Sequence, residues 1–409
     1  MATVLVMATL DTKGHEAAFV RDRIIELGHQ ALIVDTGLAD PVEVTPEVSA
    51  DEVAAAGGAD RRALWEAHDR GAAVTAMGRG AEAVTRRLHQ EGRIDGAIAL
   101  GGTGGTSIAA RAFQALPIGF PKLLVSTAVA GDTTAIVGAS DLLMAPSVVD
   151  IAGVNRVSGP ILANAAAAIA GMAGRPPLAQ SDSRPLVGLS MFGVTTQGVT
   201  RLRTALEDEA FDTLTFHMTG AGGRSLEALI ASGAFRGVLD ITTTELCDEL
   251  VGGVFSAGSS RLTGAAAAGV PQVVSVGALD MVNFGPIDTV PEKFRGRNLY
   301  VHNPNVTLMR TTPDECRELG SRLAQRVRPA GERAVVVLPL GGVSAIATPG
   351  GPFHDPQADD ALFGAIRDGL AGSAVDVVEV SDDVNGAAFC QAVLDRFHAL
   401  LARVPAAGE

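Results

Sequence analysis

Gly96-Ala97-Ile98-Ala99-Leu100, then Gly101-Gly102-Thr103-Gly104-Gly105-Thr106, then Ser107-Ile108-Ala109-Ala110-Arg111-Ala112-Phe113: this stretch decides how the chain is read. Its first five residues are small and apolar and read as a buried strand. Its last seven read as the start of a helix. Strand, glycine turn and helix in that order build a place for an anion. Glycine lets the backbone approach a ligand closely, and the unpaired amides of a helix's first turn face outward at the positive end of the dipole. Thr103, Thr106 and Ser107 add hydroxyls at the same point. Glycine is 48 of 409 residues, so a tight turn in a glycine-rich chain is the plain alternative. Four glycines and two threonines in six residues at such a junction favour a phosphate or carboxylate site. The spacing fits neither the Walker pattern nor the dinucleotide fingerprint, so the ligand stays open.

Toward the N-terminus, residues 3–8 read as a strand, Thr9 to Glu16 as a turn into a helix that Gly28 ends, and Ala31 to Val34 as a second strand. Such a unit makes its two strands parallel neighbours. Asp11 or Thr12 can cap the helix, and capping is the favoured reading of Asp11. Lys13 stays open between a helix-start residue and a cation at the carboxyl end of strand one, where open α/β sheets bind ligands. Residues 38–60 read as a loop long enough for a lid or a partner contact. A helix follows from Arg61 through Trp65 and His68, is interrupted at Gly78-Arg79-Gly80, and resumes to Leu88.

Toward the C-terminus, Lys122 to Val125 is a strand ending in Ser126-Thr127 and leading to Asp132-Thr133-Thr134. Ser126 and Asp132 can offer a hydroxyl and a carboxylate to a ligand, or to a magnesium ion on its phosphates; a polar turn with Asp132 as a cap is the alternative. The Pro- and Ser-rich run before Leu186 is the clearest linker. It divides the chain into an N-terminal domain, 1–176, a linker, 177–185, and a C-terminal domain, 186–409. Beyond it the order of elements restarts, and Gly233 to Asp240 parallels Gly92 to Ala99. The expected fold is α/β: two related Rossmann-like domains with mainly parallel sheets, their strand ends facing each other across an interdomain cleft.

Hydrophobic residues are 47% and charged residues 19%, enough for sizeable cores. A net charge of -14 argues against nucleic acid as a partner, since a phosphate backbone would be repelled. Three separated cysteines suggest no disulfide framework. Met1 to Met7 lacks a basic leader and reads as a first strand. The uncharged run Val157 to Gly174 is alanine-rich and reads as a packing helix rather than a membrane span. A cytoplasmic protein with no membrane partner is expected.

No zinc spacing appears. A dispersed set, His217, Glu245, Cys247, Asp248 and His302, lies at or near strand ends, but a Zn2+ site built from it is not the expectation, and no metal ligands are assigned. Cys247 reads as a buried, inert thiol. His302 ends a strand before Asn303-Pro304-Asn305 and is open between acid–base work and a bond into that turn. Arg310 is placed to hold a carboxylate or phosphate, and Asp280 to orient a histidine or to cap.

Ala8-Thr9-Leu10-Asp11-Thr12-Lys13-Gly14, the run Gly101 to Thr106, Gly277-Ala278-Leu279-Asp280-Met281-Val282-Asn283-Phe284-Gly285 and His302 to Thr311 together resemble the Tm-1-like ATP-binding family, over nearly the whole chain and in order. The resemblance implies two α/β domains, a homodimer, and ATP, with its Mg2+, as cofactor. It implies that Gly101, Gly102, Thr103, Gly104, Gly105 and Thr106, with Asp11, Thr12 and Lys13, form the phosphate region. Two readings follow. In one, the chain is an ATP-binding enzyme acting on a small molecule, its reaction class open. In the other, it is a hydrolase or carbon–carbon lyase on a small carboxylate, using His302 with Glu245 or His217 as catalytic residues.

Overall fold

The computed structural model describes residues 1–176 and 184–403. The expected linker falls, apart from Arg184 and Pro185, outside the described residues. The chain forms two compact units, one on each side of that stretch.

The first unit runs β1 (Thr3–Ala8), α1 (Leu10–Glu26), β2 (Gln30–Asp35), α2 (Ala50–Ala56), α3 (Arg61–Glu66), α4 (Arg70–Gln90), β3 (Gly96–Gly101), α5 (Thr103–Gln114), β4 (Lys122–Ser126), α6 (Thr134–Val137), β5 (Leu143–Pro146) and α7 (Ser158–Gly174). Its five strands pair in parallel in the order β2-β1-β3-β4-β5. The strands read as apolar runs because both faces are covered. Side chains alternate across the sheet. Val4, Val6 and Ala8 face a core shared with Ala17, Val20, Leu162 and Ile169 of α1 and α7. Leu5 and Met7 face the opposite core with Val53, Met77, Ile108 and Phe113 of α2, α4 and α5.

The second unit runs β6 (Leu186–Met191), α8 (Thr196–Asp208), β7 (Asp212–His217), α9 (Ala221–Ala231), β8 (Gly237–Thr242), α10 (Glu245–Val251), α11 (Gly264–Ala268), β9 (Gln272–Gly277), β10 (Met281–Phe284), β11 (Leu299–Asn303), β12 (Val306–Arg310), α12 (Pro313–Val327), β13 (Ala334–Pro339), α13 (Pro356–Leu370), β14 (Asp376–Val380) and α14 (Ala387–Arg403). Its main sheet, β7-β6-β8-β9-β13-β14, is parallel and repeats the strand order of the first unit with one strand added. The α/β class, the parallel sheets and the repeat expected from the sequence are all present.

Two expectations are corrected. Gly78 and Gly80 do not interrupt a helix; α4 runs through them. A Cβ on Gly80 would run into the carbonyl oxygen of Val53, so the glycine lets α2 and α4 cross at backbone contact. The 38–60 segment is not all loop. It contains α2, capped by Ser49, whose hydroxyl accepts from the amide of Glu52; the Ser-x-x-Glu spacing was its visible signal. The second unit also carries an antiparallel sheet, β10-β12-β11, in which Pro304-Asn305 is the turn of a hairpin.

Candidate functional site

In an open parallel sheet, a crevice forms at the carboxyl ends of the strands where the connections diverge to opposite sides. In the first unit that point lies between β1 and β3. A cavity of about 350 Å³ opens there. Thr9, Asp11, Thr12 and Lys13 line it from the end of β1, Thr36, Gly37 and Leu38 from the end of β2, and Gly102 to Gly105 from the end of β3. Trp65, Arg70, Ala73, Val74, Met77 and Ile108 complete the wall from α3, α4 and α5.

The glycine run is a helix start rather than a loop. Gly101 closes β3, Gly102 is the N-cap, and Thr103 already belongs to α5. Buried Ile108, Ala109, Ala112 and Phe113 anchor the helix on the sheet and override the low helix propensity of Gly104 and Gly105. None of the four glycines has a positive φ; they serve by lacking a side chain. A Cβ on Gly101 would sit 2.6 Å from the amide nitrogen of Thr106. Gly102 has no side chain to cap the helix, so the first-turn amides are left without a side-chain partner. On Gly104, a Cβ would lie 3.6 Å from the guanidinium of Arg70. Arg70 forms no ion pair or hydrogen bond among the described residues. An exposed, unpaired cation beside uncapped amides is an arrangement suited to an anion.

The other expected residues divide. The Asp11 carboxylate accepts from the amides of Leu38 at 3.0 Å and Ala39 at 3.1 Å, so it holds the turn after β2 instead of capping α1. Lys13 departs from helical backbone geometry at φ -132° and donates to the carbonyl of Ile151 at 2.7 Å. Its ammonium keeps further donors for a ligand. Thr12 lines the cavity. Thr106 and Ser126 are buried and share a 2.6 Å hydrogen bond, which locks β4 to α5 away from the cavity. Asp132 is exposed and holds the amide of Thr134 at 2.9 Å. Sequence reasoning missed Trp65 and Arg70. Only Asp69, which caps α4 through the amide of Ala72, was visible, and a cap does not tell which way the next side chain points.

In the second unit the corresponding strand end is filled by the chain itself. Glu245 opens α10 and is fully buried. One carboxylate oxygen accepts from the amides of Gly220 at 2.6 Å and Gly223 at 3.1 Å, at the start of α9, and the other from Arg261 at 2.7 Å. Arg261 is buried and also donates to both carboxylate oxygens of Asp240, at 2.5 and 2.6 Å. Burial pushes Glu227 up, against the pull of the same arginine. His217 is exposed at the end of β7 and stacks on Phe192 at 5.3 Å. His302 is exposed on β11, in the other sheet. Among the described residues, no three His, Cys, Asp or Glu side chains are grouped to hold a metal ion. Cys247 is buried, donates to the carbonyl of Leu279, and burial pushes its thiol well up, so it is not a thiolate. Arg310 already has its anion, Asp359 at 2.6 Å.

Asp280 is fully buried and accepts from the Ser344 hydroxyl at 2.7 Å, while its other oxygen has no partner. Burial pushes it up to about 6, against the pull of Arg310. The unfolded value is about 4, so between about pH 4 and about pH 6 the native state binds more protons than the unfolded chain. This contribution to stability is present below the lower value and lost as pH rises through the upper one. Asp280→Asn is expected to flatten the fall in unfolding free energy across that interval, read by urea titration at the two ends. Identical slopes in both proteins would mean that Arg310 keeps the carboxylate ionised throughout.

Residues 184–401 match the model of the UPF0261 C-terminal domain and residues 2–177 that of the UPF0261 N-terminal domain, both described as an uncharacterised protein family. A UPF0261 protein of Clostridium tetani is 46% identical over 391 residues, which are 95% of this chain and 96% of that protein. The ToMV resistance protein Tm-1(GCR237) of Solanum lycopersicum is 43% identical over 334 residues, 80% of this chain and 44% of that one. The expected kinship with the tomato protein is borne out; ATP binding is not part of what these matches establish. Among solved structures, the Streptomyces sp. SF2575 glycosyltransferase SsfS6 is 14% identical with a TM-score of 0.20, over 67% of this chain and 82% of that one, a likeness too weak to carry an argument.

Proposed function

The chain belongs to the UPF0261 family, and we propose that it is a cytoplasmic ATP-binding protein, an enzyme acting on a small molecule, with the phosphates held at the first turn of α5. The observation that carries this reading is the unpaired guanidinium of Arg70 beside the uncapped amides at Gly102 to Gly105, inside a cavity at the sheet's switch point. The residues fit the group. Amides and Arg70 suit phosphate oxygens, and Lys13 adds a second cation. One oxygen of Asp11, with the Thr12 and Thr103 hydroxyls, supplies ligands for a magnesium ion on those phosphates. Bound there, ATP would bring a transferable phosphoryl group; the chain's own residues bind it and fix its direction.

The hydrolase or lyase alternative has less support, since Glu245 is fully engaged by two amides and Arg261. A homodimer belongs to the same proposal as ATP. No helix among the described residues is long and apolar enough to cross a membrane. Thermal unfolding with and without ATP and magnesium tests the reading. A ligand at 100 times its dissociation constant stabilises by about 2.7 kcal/mol, and the first unit is expected to gain on that order. No shift at about millimolar ATP, roughly a thousand times a micromolar dissociation constant, sinks it.

A further inference from the structure

We infer that Trp65 is the specificity determinant of this cavity: its indole takes the base of a nucleotide whose phosphates lie at α5, so that the site selects nucleotides over bare polyphosphates. The inference rests on the phosphate reading and goes beyond it, because amides and cations bind phosphate whatever is attached to it.

The position of Trp65 carries the argument. It sits on α3, a helix of six residues none of which is buried. The arm that holds it begins and ends at left-handed backbone, Gly58 at φ +75° and His68 at φ +51°. Its root is fixed by Arg61, which donates to Asp51 at 2.7 Å and to the carbonyl of Leu38 at 3.0 Å. Trp65 is 51% exposed although it lines the cavity. Its indole makes no aromatic contact or hydrogen bond among the described residues. A large, flat, half-solvated ring held at the rim of a cavity by an anchored arm is the arrangement that stacking on a planar ligand requires. Val74, Met77 and Ile108 add apolar surface to the same cavity that Lys13, Arg70 and the first turn of α5 line. The lining thus combines an aromatic ring and aliphatic side chains with cations and amides, a mixture that suits a nucleotide better than a bare polyphosphate.

The chain contains a single Trp, so its fluorescence reports this site alone. The full-length protein is titrated with ATP–Mg2+ and with tripolyphosphate–Mg2+, and both affinities are measured by calorimetry for the wild type, Trp65→Phe and Trp65→Ala. The expected result has three parts. ATP changes the Trp65 emission and tripolyphosphate does not. Wild type binds ATP roughly tenfold or more tightly than tripolyphosphate. Trp65→Ala loses that preference while keeping its tripolyphosphate affinity, and Trp65→Phe retains most of it. Equal ATP affinity in wild type and Trp65→Ala, with tripolyphosphate still competing, overturns the stacking role and leaves the phosphate site standing. Binding of neither ligand by the wild type overturns both. The exposure of Trp65 makes its substitutions compatible with folding, and Trp65→Phe repeats the test with a ring retained.

Discussion

Gly104→Asp is expected to leave the protein folded and to abolish its protection by ATP–Mg2+. The site has room for the side chain: a Cβ at Gly104 meets the guanidinium of Arg70 and a methyl of Val74 at 3.6 Å each, ordinary contact distances. A carboxylate in the first turn of α5 is favoured by the helix dipole, by up to about 1 kcal/mol, and gains Arg70 as a partner. The unliganded protein should therefore unfold no earlier than wild type. The new carboxylate occupies the place proposed for the phosphates, so the expected gain of about 2.7 kcal/mol at 100 times the dissociation constant disappears. The second unit offers the precedent, for Glu245 fills the start of α9 with the chain's own carboxylate. Gly101→Ala is the contrasting change. Its methyl would press on the amide of Thr106 at 2.6 Å, so it should lower stability and binding together. A Gly104→Asp protein that keeps the full thermal shift would move the phosphates away from α5.

Arg261→Leu carries the largest expected loss of stability. The guanidinium is fully buried and faces Asp240 and Glu245, themselves almost without solvent, with Glu227 at 3.4 Å. Removing one member of such a cluster leaves uncompensated buried charge, which costs about 3–5 kcal/mol. The loss should be concentrated in the second unit, because every partner of Arg261 lies there. Two units make two-state analysis unsafe, so the transitions are followed separately. The transition of the second unit should move to lower urea while ATP–Mg2+ still protects the first. The stranded carboxylates would also bind protons more readily in the native state, so the deficit should shrink as pH falls. A cost below about 1 kcal/mol, the size of an exposed pair, would show that solvent reaches the cluster.

Much of the fold was legible in local sequence. Val4 to Met7, Ala97 to Leu100 and Leu123 to Val125 read as strands because a parallel sheet covered on both faces demands continuous apolar runs. The pairing of β1 with β2 followed from the short crossover between them. The glycine run at the end of β3 marked one side of the cavity because a strand-to-helix junction without side chains is itself unusual. Other features were out of reach. Gly80 looked like a break and is a crossing point, since what it meets, Val53, is 27 positions away. β10 was missed because its one partner, β12, lies beyond β11 in the chain. Trp65 and Arg70 gave no signal, since direction depends on how α3 and α4 lie on the sheet.

The amino-acid sequence by itself determined the class of the fold, the repeat of its strand order and the place of a strand-to-helix junction bare of side chains, because each depends on the periodicity and size of adjacent residues. Tertiary structure alone decided which polar groups are spent on the protein and which remain for a ligand. Thr106, Ser126 and Glu245 are held by residues 16 or more positions away and one oxygen of Asp11 by Leu38 and Ala39, while Arg70 is left unpaired beside Gly104. The reason is that satisfying a buried polar group is a long-range event, set by which strand ends the sheet brings side by side.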